Sequence, residues 1–163
     1  MEKRKPSVSH VLPCSVVLLT AGSPEKSDVM TATCMFISEE PPLLVVSVDK
    51  QSLTHDFIEQ TDEFTLNAAS TDQVDLARKL GASHGKKLDK FKTFGIGTEP
   101  GTKVKAPSIK GSFASIECKV ITSFPVSRYT VYVAAAIDYT VSEKASPVAW
   151  HQDRYFKLTN QVR

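Results

Sequence analysis

The stretch Pro13-Cys-Ser-Val-Val-Leu-Leu-Thr20, closed by Ala21-Gly-Ser-Pro24, decides how the rest of the chain is read. It is apolar and rich in β-branched residues, with a proline on one side and a Gly/Pro turn on the other. That pattern predicts a buried strand ending in a turn. Downstream, Met30 to Ser38 alternates Thr and Ala with Cys, Phe and Ile, which again favours extended backbone. Pro41-Pro42 blocks a helix, and Leu43 to Val48 reads as the next strand. The polar run Asp49 to Ser52 reads as a turn.

Helical spacing appears twice. Thr54 to Thr61 carries Phe57 and Ile58 on one side, with Ser52 or Thr54 available as a cap. Asp72 to Leu80 places Val74, Leu76, Ala77 and Leu80 at helical intervals, with Gly81 as a stop. Phe64 to Ala69, Phe113 to Ser123, Tyr129 to Thr140 and Arg154 to Leu158 are further strands, whereas Ala82 to Lys110 reads as a surface loop. Six or seven short strands with two short helices predict a mainly β small barrel. A doubly wound sheet would place a long helix after nearly every strand.

The whole chain has 163 residues, 41% hydrophobic and 23% charged, with a net charge of +2. This length suits one domain with a real core, and the composition excludes global disorder. The longest apolar run, Val131 to Ile137, is far short of the ~20 residues that cross a bilayer. MEKRKP is basic, but Pro13, Cys14 and Ser15 break the apolar segment that a signal peptide needs. Cys14, Cys34 and Cys118 form no CxxC pair. A soluble cytoplasmic protein is expected, with residues 1–9 as a flexible N-terminal segment and 10–163 as the folded domain.

Most chemical signatures are missing. The chain has no GxGxxG, no GxxxxGK[ST] and no HExxH, and Gly95-Ile-Gly97 reads as a loop. His10, His55, His84 and His151 lack ligand-like spacing, so no metal is expected. Cys34 reads as a small buried hydrophobe rather than a nucleophile. Ser47 and Ser52 lack the context of a serine hydrolase. Charge is uneven: Asp49–Asp75 carries −6, and Lys86–Lys110 carries +5. With Phe91 and Phe94 among its lysines, the second segment suits single-stranded nucleic acid, a phosphate-bearing ligand, or simple solvation.

The pieces also occur in a familiar order. After Pro13–Thr20 come Asp28-Val-Met-Thr-Ala-Thr-Cys34, Pro41-Pro-Leu-Leu-Val-Val-Ser-Val48 and Ser52-Leu-Thr-His-Asp-Phe-Ile58. Asp62-Glu-Phe-Thr-Leu-Asn67, Asp89-Lys-Phe91, Ile116-Glu-Cys-Lys119 and Asp153-Arg-Tyr-Phe156 follow. This order resembles the flavin reductase-like family with an FMN-binding split barrel, which includes flavoredoxins. The resemblance spans roughly residues 10–158.

The resemblance implies FMN at a homodimer interface. It places Thr31, Ala32, Thr33 and Cys34 along the ribityl chain and ring, and the main chain of Ser47 and Val48 beside the isoalloxazine. Ser52 and Thr54 would meet the phosphate, Asn67 the flavin edge, and Lys90 and Phe91 the cofactor. Hydroxyls and amides at a helix start suit a phosphate dianion. The implied activity is hydride transfer from NADH or NADPH to flavin N5, with electrons passing to a flavin, metal complex or protein acceptor. No catalytic acid or base is assigned, because the cofactor carries the chemistry. A noncatalytic flavin-binding or electron-transfer protein is the alternative within the resemblance; a nucleic-acid module is the alternative outside it. Asp28 departs from a common Asn and Thr33-Cys34 from a common Ala-Ser pairing. Ser127-Arg128-Tyr129 replaces a frequent Gly-Asp-His, and Ala134–Ala136 replaces a frequent glycine.

Overall fold

The computed structural model describes residues 7–83 and 87–159. Residues 1–6 of the expected N-terminal segment, His84 and Lys86 lie outside the described residues. Residues Val8–His10 form a single exposed 3-10 turn.

The decisive stretch divides at Val16. Strand β1 (Cys14–Ser15) pairs with a late hairpin, whereas β2 (Val17–Gly22) enters the main sheet. All six residues of β2 are buried. Side chains alternate along a strand, so Val17, Leu19 and Ala21 join one core while Val16 and Leu18 join another. Burial on both faces explains why Val16–Leu19 is apolar without interruption; Thr20, also buried, donates its hydroxyl to the Pro107 carbonyl.

The chain continues as β3 (Ser27–Ala32), β4 (Cys34–Glu39) and β5 (Pro42–Asp49), then helix α1 (Leu53–Thr61) and β6 (Glu63–Ala68). Helices α2 (Val74–Ala82) and α3 (Lys90–Phe94) precede the short strands β7 (Thr98–Glu99) and β8 (Ser108–Ile109). The long hairpin β9 (Ala114–Val126) and β10 (Tyr129–Val141) follows, then β11 (Val148–His151) and β12 (Arg154–Lys157). The main sheet is antiparallel, in the order β3-β2-β6-β9-β10-β5-β4. Its two edge strands, β3 and β4, are consecutive in the chain with only Thr33 between them. The sheet must therefore curl until its edges meet, leaving a barrel split along the β3/β4 seam.

Several sequence expectations are corrected. Met30–Ser38 is two strands rather than one, because the chain changes sheet edge at Thr33. The segment read as loop, 82–110, contains α3, β7 and β8, all too short for periodicity to reveal. Strand β11 was not anticipated. Gly81 does not stop α2, which runs to Ala82.

The interior has two apolar cores. Phe57 and Ile58 of α1 join Phe64, Leu66, Val46, Val48 and Tyr132 in the first. Ala77 and Leu80 of α2 join Val29 and Ile109 in the second. Gly22 (φ 113°) turns the β2–β3 hairpin, where an added Cβ would lie 2.4 Å from the Lys26 carbonyl oxygen. Only glycine fits there.

Candidate functional site: a cleft at the start of α1

Ser52 caps α1, accepting from the His55 amide at 3.1 Å and donating to the Asp49 carbonyl at 2.8 Å. The Gln51 amide donates to Asp49 Oδ1 at 3.0 Å, so the turn read from Asp49 to Ser52 is closed by its own side chains. Lys50 ties this turn to the β9–β10 tip, its amide donating to the Arg128 carbonyl at 3.0 Å and its Nζ to the Ser127 carbonyl at 2.9 Å. Ser127 takes a left-handed backbone (φ 54°) at that tip.

These contacts frame a cleft of about 450 Å³. Thr31, Ser47, Ser52, Lys90, Arg128 and Tyr129 are among its walls, contributed by β3, β5, the α1 cap, α3 and the β10 hairpin. The register of β4 on β5 ends at Cys34 opposite Val46. Ser47–Asp49 therefore have a strand neighbour on the β10 side alone; the Asp49 carbonyl is taken by the Ser52 amide and hydroxyl, and the backbone at Ser47 is left available to a ligand.

Two cations border the cleft, each with a carboxylate. Lys90 Nζ donates to Asp28 Oδ2 at 3.0 Å and to the Val29 carbonyl at 2.8 Å. The same Asp28 oxygen accepts from the Thr54 hydroxyl at 2.7 Å. At the rim, Arg128 Nε donates to Asp49 Oδ2 at 2.9 Å, and Nη2 meets the same oxygen. The Gln51 amide and then Arg128 hold the Asp49 carboxyl below its ordinary range, while Asp49 raises the Arg128 guanidinium. The guanidinium lies 5.2 Å from the Tyr129 ring centre, within cation–π range.

Of the residues named from sequence, Thr31, Ser47, Ser52 and Lys90 meet at this cleft. Thr31 donates its hydroxyl to the Ala77 carbonyl at 2.7 Å, anchoring α2 to β3. Ala32 is half-buried against the first core, and Thr33 is exposed at the seam. Cys34 is half-buried; burial pushes its thiol up, with the Ser15 hydroxyl opposing. That is the reverse of nucleophilic activation. Burial also raises the Cys118 thiol, to about 12.

The remaining named side chains do not line this cleft. Val48 lies in the first core, and Thr54 is wholly buried with its hydroxyl committed to Asp28. Asn67 is also wholly buried. Its Nδ2 donates to the Leu18 carbonyl at 2.9 Å, and its Oδ1 accepts from the Ile109 amide and the Ser115 hydroxyl, both at 2.8 Å. It is a clamp between β2, β8 and β9. Phe91 packs against the second core and borders a separate cleft of about 600 Å³.

In the lysine-rich segment the aromatic residues face the fold and most of the described lysines face outward. Phe91 and Phe94 pack against the second core, Lys90 is buried, and Lys92 pairs with Asp89 at 3.2 Å. The rings on which single-stranded nucleic acid would stack are thus partly covered by the fold. Sequence reading did not assign a site role to Asp28, Asp49, Gln51, Arg128 or Tyr129. The one signal was the unusual Asp28 and Ser127-Arg128-Tyr129, noted only as departures. Among the described residues, no three His, Cys, Asp or Glu side chains converge as a metal-binding group. No helix among them is long and apolar enough to cross a membrane.

Comparison with known proteins converges on one family. Residues 9–159 match the family model described as a flavin reductase like domain. An uncharacterised protein of Pyrococcus abyssi is 30% identical over 134 residues, covering 82% of this chain and 77% of that one. The NADH-dependent FMN reductase AsuE2 of Streptomyces nodosus subsp. asukaensis is 24% identical over 150 residues, 91% of this chain and 80% of that one. Among solved structures, the flavoredoxin of Desulfovibrio vulgaris (Miyazaki F) superposes with a TM-score of 0.87 at 23% identity. That alignment covers 100% of this chain and 96% of the flavoredoxin.

Proposed function

The chain belongs to the flavin reductase-like family, and from that premise we propose that it is an FMN-dependent oxidoreductase drawing hydride from NADH or NADPH. Its family gives it a flavin-related oxidoreductase role; the choice of FMN, the reductant and the acceptor belong to this proposal. One observation carries it. Thr31, Ser47, Ser52 and Lys90, far apart in sequence, border one cleft at the start of a nine-residue helix.

The donor set fits a flavin mononucleotide. The first amides of α1, ordered by the Ser52 cap, together with Lys90 and Arg128, suit its phosphate. The one-sided backbone of Ser47 suits the polar edge of a ring, and Tyr129 offers an apolar surface that excludes water. A bound flavin supplies hydride and electron chemistry at N5. The chain itself anchors, orients and shields, and no side chain need act as nucleophile, acid or base. Electrons would leave to a second flavin, a metal complex or a protein acceptor.

A homodimer is part of the proposal. Edge strand β4 exposes Met35 (64%), Phe36 (54%) and Ile37 (46%), an apolar edge that soluble proteins ordinarily cover. A second copy of this chain would cover it beside the open side of Ser47. Sedimentation at the 17.9 kDa monomer mass with flavin retained would remove the shared-site arrangement.

The decisive experiment is a visible spectrum of the purified protein, followed by anaerobic mixing with each nicotinamide. Flavin absorbance that bleaches with NADH or NADPH supports the reductase. A yellow protein that neither cofactor bleaches is instead a flavin-binding or electron-transfer protein. A colourless protein that takes up no added FMN overturns the proposal.

A further inference from the structure

Asp28, Thr54 and Lys90 arrive from β3, α1 and α3, and are 2%, 0% and 5% exposed. Asp28 Oδ2 accepts from both partners, at 3.0 Å from Lys90 and 2.7 Å from Thr54. Lys90 also borders the cleft, and its ammonium is paired with a complete negative charge. Thr54 is the second residue of α1, so the same oxygen fixes the helix start beside that cleft. A buried charge is tolerated only when paired and hydrogen-bonded, and here one carboxylate oxygen satisfies both requirements.

We infer that Asp28 is a positioning residue that sets ligand selectivity by masking the charge of Lys90. Opposite charges 3.0 Å apart act on a ligand as a dipole, whose field falls off faster than that of a lone cation. The cleft therefore holds the anionic end of its ligand through hydrogen bonds, the start of α1 and Arg128 at the rim, and only weakly through the net charge of Lys90. Lys90 accordingly adds little to the discrimination between a phosphorylated flavin and its uncharged counterpart. This inference rests on the flavin reading of the cleft.

The test titrates flavin-free protein with FMN and with riboflavin, which lacks the phosphate, and takes the ratio of the two dissociation constants. A purely structural defect weakens both ligands together and leaves that ratio alone. Asp28→Asn leaves Lys90 uncompensated, and the preference for FMN over riboflavin is expected to rise about tenfold. The double variant Asp28→Asn/Lys90→Met has no buried charge, and its ratio is expected within about twofold of the parent. An unchanged ratio in Asp28→Asn overturns the inference. So does a fall of about tenfold in the double variant, because Lys90 would then have been acting unmasked. Where Asp28→Asn fails to fold, by its thermal melt, Asp28→Ser removes the same charge, and an unchanged ratio there overturns the inference. If the parent protein binds neither flavin, the flavin reading fails and the inference falls with it. If it binds both and the ratios do not move as stated, the inference fails alone.

Discussion

Asp28 and Lys90 meet in the interior, 3.0 Å apart, with side chains 3% and 6% exposed. Asp49 and Arg128 meet at the rim of the same cleft, where the arginine side chain is 67% exposed. The charges are equivalent, but the surroundings are not. The interior pair has lost its water, so each member depends on the other, and removing one leaves a stranded charge. At the rim the arginine is solvated and can exchange its partner for water or for a ligand at little cost, while Asp49 keeps the Gln51 amide. The interior pair is thus suited to fixing shape, and the rim pair to adjusting around whatever enters.

The largest effect should come from breaking the interior pair on one side. Lys90→Met is expected to cost about 3–5 kcal/mol in denaturant titration. A loss below about 1 kcal/mol would mean that the pair is as dispensable as a surface one. Glu117 sharpens the contrast, since it is a carboxylate satisfied without a cation. It accepts from the amides of Thr102, Lys103 and Val104, at 2.8, 2.6 and 2.9 Å, and from the Thr102 hydroxyl at 3.0 Å. Burial pushes this carboxyl up, but these donors prevail and hold it below its ordinary value. Its contribution is therefore full above about pH 5 and is lost as pH falls through the lowered folded value. Glu117→Gln should cost about 2 kcal/mol at neutral pH and flatten the acid limb of stability; an unchanged limb would refute the assignment.

Smaller effects lie nearer the rim. Ser52→Ala should cost about 1 kcal/mol and weaken FMN retention, read by thermal melt and flavin titration. Retention equal to the parent's would remove Ser52 from the phosphate end. Arg128→Ala should leave the melting temperature nearly unchanged while weakening FMN binding in a salt-dependent way. A clear loss of stability would show that the rim pair behaves like the interior one.

The regular elements were largely legible because strand and helix periods are local. The first helix, read over Thr54–Thr61 with Ser52 or Thr54 as its cap, and the long hairpin strands were visible as patterns of alternation and capping; the structure begins that helix at Leu53 and assigns the cap to Ser52. The short elements were not: α3 spans five residues and β7 and β8 two each, too few for any period to register. The site was half legible. Thr31, Ser47, Ser52 and Lys90 border the cleft, but Thr54 and Asn67 carry the same polar chemistry and are spent inside the fold. A hydroxyl or amide does not announce in sequence whether its partner is a ligand or a neighbouring carbonyl.

By itself, then, the sequence determined the β-rich class, a buried strand within Cys14–Thr20, the turn at Asp49–Ser52 and the order of pieces that marks the family. Each depends on residues close together in the chain. Only the tertiary structure decided that Asp28 would meet Lys90 across 62 positions, that Arg128 would reach Asp49 across 79, and that Phe91 would turn away from this cleft. Those outcomes depend on how a curled sheet brings its two edges together, and no local pattern encodes that closure.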